Sequence, residues 1–232
     1  ATMPDPIITL ARTFMTQPTH IRAEAPHSSA THDTTEQFAY RAHALDKVEM
    51  VSRILQAEGR GATMIFTRTK RTAQKVADEL AERGFQVGAV HGDLGQGARE
   101  KALKSFRTGE VDVLVATDVA ARGIDIDDIT HVINYDLPVE AETYVHRIGR
   151  TARAGADGDS ISLCSAEDRA SLREIERLLG RPVPAEIEHP YHCDEALRSS
   201  QPAPRNFGRG GGRRQGRPQR NPGRYRGNSR GR

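Results

Sequence analysis

Residues 62–90 read ATMIFTRTKRTAQKVADELAERGFQVGAV, and this stretch decides the fold. Its opening, ATMIFT (62–67), is a short apolar run suited to a buried strand. From Arg71 to Arg83, the residues Ala73, Val76, Ala77, Leu80 and Ala81 recur at helical spacing and give one apolar face. Gly84 ends that helix, because glycine tolerates the left-handed conformation that closes a helix. FQVGAV (85–90) is then a second strand, so the stretch is one strand–helix–strand unit.

Working outward, the alternation repeats. The pattern predicts a helix over 96–106, strands VDVLVAT (111–117) and HVINYD (131–136), and a helix over 140–148. Strand SISLCS (160–165) and a helix over 166–179 follow. Upstream, Val48, Val51, Ile54 and Leu55 mark a helix stopped by Gly59 and Gly61. Ile7, Ile8, Leu10, Ala11 and Phe14 mark a short one within 5–16. Strands alternating with helices imply an α/β fold, a three-layer domain whose mainly parallel sheet carries helices on both faces. Right-handed crossovers then bring every strand-to-helix loop to one edge of the sheet, the edge where such folds bind ligands.

The length of 232 residues leaves room for one sizeable core with extra segments, and the absence of tryptophan rests that core on Val, Ile, Leu and Ala. We expect the trailing end of a preceding domain over 1–20, a Pro/Ser/Thr/His-rich linker over 21–36, the main domain over 37–188, and a disordered tail over 189–232. Residues 201–232 hold ten arginines and no acid, so the net charge of +3 divides into +10 there and −7 for residues 1–200. A basic tail on an acidic body points to diffuse contacts between the tail and nucleic acid. No apolar run approaches the length of about 18 residues that a membrane helix needs, and no signal peptide is visible, so the expected location is cytoplasmic, with no membrane partner. Cys164 and Cys193 are too few for a disulfide framework; His189, His192 and Cys193 cluster after the last helix, where an ordinary loop is a better reading than a metal site, and no metal ligand is assigned.

Several unusual residues fall just after the expected strands. Arg68-Thr69-Lys70 follows the first, His91-Gly92-Asp93 the second and Thr117-Asp118 the third. HGD and TD also read as turn and cap signals, and only their coincidence on one edge favours a binding role. Arg99 lies on the face of its helix shared with Ala102, Leu103 and Phe106, where a cation needs a partner: an anion beyond the helix end, or Glu100. In ARGIDI (121–126), Gly123 permits close approach of a phosphate and Asp125 can accept from a ribose hydroxyl. HRIGRTARAG (146–155) spaces Arg147, Arg150 and Arg153 three apart between glycines with no acid in the segment. Three guanidiniums in so small a volume suit a polyanion, phosphate above all, against the alternative of a solvated basic face.

Taken together and in order, IFTRTK, HGDLGQGAR, ATDVAARGID, YDLP and HRIGRTARAG resemble the motifs of the second RecA-like domain of DEAD-box ATP-dependent RNA helicases. The likeness covers about residues 1–185, and Ala1-Thr2-Met3-Pro4 resembles the Ser-Ala-Thr motif that ends the family's first domain. The short tail and Gly180–Pro184 look most like the bacterial RhlE-type members. The resemblance implies Arg150 and Arg153 as arginine fingers toward the γ-phosphate of ATP. It implies His146 as the link to the first domain, Asp125 as the ribose contact, and Arg68, Gly92, Arg99, Thr117 and Gly123 as contacts to the sugar-phosphate backbone of RNA. Many members carry Asn at the position of Arg68. No G-x-x-x-x-G-K-[ST] loop or Asp-Glu-Ala-Asp is found in these residues, so ATP and Mg2+ are expected on an N-terminal RecA-like partner domain.

The function implied is ATP- and RNA-driven closure of two lobes that unwinds short duplexes, with this chain inactive alone. Through the tail, ribonucleoprotein or RNA-decay partners are expected. Two other readings stand beside it: a binding module whose tail acts as an RNA tether, and a DNA-directed motor with the same HRxGR pattern.

Overall fold

In the computed structural model the described residues are 5–16, 35–57, 60–122, 124, 126, 129–152 and 157–194. Their strands are β1 (Thr35–Arg41), β2 (Ala62–Thr67), β3 (Val87–Val90), β4 (Val113–Thr117), β5 (Ile129–Asn134), β6 (Gly158–Cys164) and β7 (Ala185–Glu186). All pair in parallel in one sheet of order β3-β4-β2-β5-β6-β1-β7. The helices are α1 (Asp5–Phe14), α2 (Lys47–Leu55), α3 (Lys70–Glu82), α4 (Gln96–Arg107), α5 (Asp118–Ala121), α6 (Ala141–Ile148) and α7 (Arg169–Leu179).

Alternate residues along each strand divide the core into two layers, as the two-residue period of a pleated strand requires. Ile65, Val115, Ile133 and Leu163 pack with Val51 of α2 and Val76 and Leu80 of α3 on one face. On the other face Met64, Phe66, Leu114 and Val132 meet Phe106 of α4 and Ala120 of α5. Further along that face Ala39 and Cys164 meet Tyr144 and Ile148 of α6 and Leu172 and Ile175 of α7. Burial on both faces is why β2 and β4 read as continuous apolar runs.

The elements expected within 62–117 all form, and the sheet is wholly parallel. Three differences are informative. A strand, β1, runs from Thr35, inside the stretch expected as linker, so the main domain begins before residue 37. Its buried side carries Thr35, Gln37, Ala39 and Arg41, whereas Phe38 and Tyr40 point to the half-buried side, so apolar alternation is inverted and gives no signal. β5 starts at Ile129, two residues before expectation, and the 166–179 helix divides into a 3-10 turn (Ala166–Asp168) followed by α7. The expected disorder of the tail falls outside the described residues, apart from the segment up to 194, where Cys193 N–H donates to the Arg41 carbonyl.

After β2 the chain moves outward to β3 and β4, then returns to build β5 and β6 on the opposite side of β2. Reversal of this kind leaves a crevice at the carboxyl ends of the strands, here beside β2, between Thr117 and Asn134.

Candidate nucleotide and nucleic-acid interface

Two polar networks build this edge. In the first, Arg147 of α6 is 1% exposed, and its guanidinium is fully directed inward. Nε and Nη2 donate to the two carboxylate oxygens of Asp118, at 2.6 and 2.9 Å. Nη1 donates to Asn134 Oδ1 at 3.2 Å and the Asp136 carbonyl at 2.6 Å, and the group lies 5.1 Å from the Phe66 ring centroid. Planar, two-pronged bonding of this sort fixes both partners in position as well as joining them. The expectation that Arg147 faces an external polyanion is therefore corrected: its anion is Asp118, 29 residues earlier in the chain.

Anchoring Arg147 fixes the end of α6, and Arg150 lies one turn beyond it. Arg150 Nη1 donates to the Ile124 carbonyl at 2.9 Å and Nε to the His146 carbonyl at 3.3 Å. The segment after β4 and the end of α6 thus meet at Arg150. Thr151 closes the turn, its hydroxyl donating to the carbonyls of Ile129 and Thr130. Ala152 then takes a positive φ of 53°, a conformation that costs a residue with a Cβ and here marks a tightly held turn. His146 is exposed; its pKa is lowered, first by partial burial and then by cations including Arg150 and Arg122, so it is a neutral imidazole at pH 7.

The second network surrounds Arg68. Its N–H donates to Asp136 Oδ2 at 2.9 Å, and its Nη2 donates to Asp168 Oδ1 at 2.8 Å and the Leu137 carbonyl at 3.1 Å. Asp168 Oδ2 in turn accepts from Lys47 Nζ at 2.7 Å and from Ser165 Oγ at 2.7 Å. Lys47 also donates to the Tyr135 carbonyl at 2.7 Å and sits 3.8 Å from Asp136 Oδ1. Burial alone would raise the Asp168 pKa, but Lys47, Ser165 and Arg68 outweigh it and hold the carboxyl below the usual carboxylate range.

Among the described residues, Thr117, Gly92 and Arg99 lie on the same edge. Thr117 ends β4 and is the residue before α5, yet makes no capping bond, and Asp118 is committed to Arg147, so the cap reading of TD does not describe this site. Gly92 is exposed, and a Cβ built on it would meet nothing within 4 Å. His91 before it bonds Gln74 at 2.9 Å, and Asp93 after it takes Lys70 at 2.6 Å. Arg99 is half-buried and donates to the Ala120 carbonyl at 3.0 Å, while Glu100 accepts from Gln96. Arg99 thereby bridges α4 to α5. Gly123, Asp125 and Arg153 lie outside the described residues.

The profile of the family described as "Helicase conserved C-terminal domain" matches residues 46–155, the span that carries both networks except Asp168 and Ser165. The E. coli DEAD-box protein SrmB, in a structure bound to regulator of ribonuclease activity A, is 38% identical with a TM-score of 0.64; the match covers 75% of this chain and 100% of that one. The chain belongs to the DEAD-box family. It is similar to the DEAD-box ATP-dependent RNA helicase CshA of Bacillus cereus, 40% identical over 201 residues, which are 87% of this chain and 38% of the relative. S. cerevisiae Dbp5 bound to RNA and ADP BeF3 is 30% identical with a TM-score of 0.67, covering 79% of this chain and 49% of that one. This DEAD-box domain therefore spans well under half the length of such a curated relative, as the C-terminal RecA-like domain.

Four residues of the two networks were given no such role from sequence: Lys47, Asp136, Arg147 as an anchor, and Asp168. Two signals were present. Arg147 lies three residues after the core residue Tyr144, on the same helical face, the position of a buried cation. Ser165-Ala-Glu-Asp168 has capping-box spacing, and the structure forms both bonds of that box. Lys47 and Asp136 carry no local mark, because their partners come from other loops.

Proposed function

We propose that this domain is one half of an ATP-driven motor that separates short RNA duplexes, working against a second RecA-like lobe that presents ATP. The observation that carries the reading is the junction at Arg150: a buried, doubly bonded Arg147 fixes α6, and the next turn places Arg150 against the segment that follows β4. In this reading Arg150 and Arg153 reach the γ-phosphate and stabilise charge that develops during its transfer, which is worth about a thousandfold or more in rate. Asp125 accepts from the ribose, and neutral His146 hydrogen-bonds across to the other lobe. Mg2+ travels with ATP and is held by that lobe.

On the RNA side, Arg68, Gly92, Arg99, Thr117 and Gly123 line the path of one sugar-phosphate strand. Contacts to the backbone position a strand without reading its sequence. Closure of the lobes on ATP and one RNA strand favours the state that excludes the second strand, and loss of phosphate reopens it. The arginine-rich residues 201–232 add sequence-independent, salt-sensitive affinity and a site for ribonucleoprotein partners. A cytoplasmic setting is part of this reading, supported by two free thiols, Cys164 and Cys193.

Two preparations test the proposal: the 232-residue chain alone and the full-length protein. The full-length protein is expected to hydrolyse ATP when RNA is added, and the chain alone to show no RNA-stimulated turnover. Measurable turnover by the chain alone would overturn the division of the ATP site between lobes.

A further inference from the structure

We propose that Lys47 and Asp168 are positioning residues for RNA: a buried ion pair that presets the Arg68 guanidinium at the strand edge. The inference rests on the reading that Arg68 meets the RNA backbone. Lys47 and Asp168 are 3% and 2% exposed, so neither touches a ligand directly. Their cost of burial is offset only where the bonding is nearly complete, and it is. Asp168 uses Oδ2 for Lys47 and for both the N–H and hydroxyl of Ser165, and Oδ1 for Arg68. Lys47 spends its donors on the Tyr135 carbonyl and Asp168, with Asp136 beside it.

The consequence falls on Arg68. Nη2 is pinned between Asp168 and the Leu137 carbonyl, and the backbone N–H is held by Asp136. Nη1 makes no hydrogen bond among the described residues, and the side chain is a quarter exposed. One prong of the fork is fixed and another is left for an anion. A long cationic side chain normally loses rotamer freedom when it takes a phosphate, and fixing it beforehand removes that cost. Lys47 matters because Asp168 has two cations: without the ammonium, Asp168 and its Ser165 turn are free to move, and Arg68 moves with them.

The experiment uses full-length protein, a single-stranded oligouridine of fixed length, and ATP turnover as readout. Lys47→Met, Asp168→Asn, Arg68→Met and the double variant Lys47→Met/Arg68→Met are compared. The RNA concentration giving half-maximal turnover is expected to rise roughly tenfold in Lys47→Met, the size expected when a charge-assisted bond is lost. Turnover at saturating RNA stays within about twofold, since the pair acts on binding and not on the phosphate. The double variant is no worse than Arg68→Met, because both changes remove the same contact. Asp168→Asn, nearly isosteric, gives the same shift and covers the case in which Lys47→Met does not fold. An unchanged midpoint in either folded variant, with only the melting temperature lowered, overturns the proposal in favour of a purely structural pair. So does a double variant in which the two losses multiply. Failure of the functional reading looks different, since Arg150→Ala would then keep its turnover at saturating RNA.

Discussion

Arg147 and Asp118 face each other in a two-pronged ion pair, 2.6 and 2.9 Å long, that ties the last turn of α6 to the first residue of α5. One member is buried and the other is 29% exposed. Asp118→Ala would leave a buried guanidinium with only the Asn134 side-chain oxygen and the Asp136 backbone carbonyl, both uncharged. Allowing for the partial exposure of Asp118, the loss is about 2–3 kcal/mol of folding stability. Urea unfolding of the 232-residue chain measures it, and a change within ±0.5 kcal/mol would show the pair to be incidental.

Two glycines separate fold from function. A Cβ on Gly158 would stand 2.0 Å from Thr151 Oγ1 and 2.8 Å from the Ala152 nitrogen, so Gly158→Ala displaces the turn that follows Arg150. Overpacking of this kind costs about 1–3 kcal/mol, and the melting temperature should fall accordingly. Gly92→Ala meets open space and has no such cost. Its expected effect is confined to RNA affinity, because an added methyl keeps a backbone phosphate away. Equal RNA binding by Gly92→Ala and the parent would remove Gly92 from the interface.

Acid stability reports on Asp168. Its folded-state pKa lies below its unfolded value of about 3.9, so the native state favours the ionised carboxylate. The stabilisation is complete above that unfolded pKa and is lost as pH falls through the lower folded one. Asp168→Asn should lower stability at neutral pH and make the decline below about pH 4 shallower. An acid limb of the same steepness in both proteins would mean that another carboxylate carries it.

The tail is expected to bind RNA through charge. Removing residues 201–232 takes away ten arginines, and the logarithmic salt dependence of RNA binding should flatten by about 0.7 for each arginine that contacts phosphate. Binding that persists at low salt, and that Arg99→Ala weakens, marks the contribution of the folded edge. Complete loss of binding on removal of the tail would assign RNA affinity to the tail alone.

The fold was legible wherever burial on both faces made strands apolar and one face made helices periodic, as in β2, α3 and β4. β1 was not, because it buries Thr35, Gln37 and Arg41 and leaves its aromatics half-covered. α5 is a single turn, too short for any period to appear. Spacing placed the polar loops on one edge of the sheet, where the structure has them, but could not pair them. Arg147 looked like part of an anion-binding cluster since its partner is distant in sequence, and Arg68 showed no sign of Asp168, 100 residues away. Pairings of this kind are set by topology, which fixes which loops become neighbours only after the sheet order is known.

In the proposed function Arg150, held at the end of an anchored helix, completes an ATP site whose other half lies on a separate lobe. Single-turnover hydrolysis of ATP at saturating RNA, in full-length protein carrying Arg150→Ala, tests it most directly. A fall of about a thousandfold in the rate, with RNA affinity and the melting temperature unchanged, is the predicted result. A rate equal to that of the parent protein would contradict it.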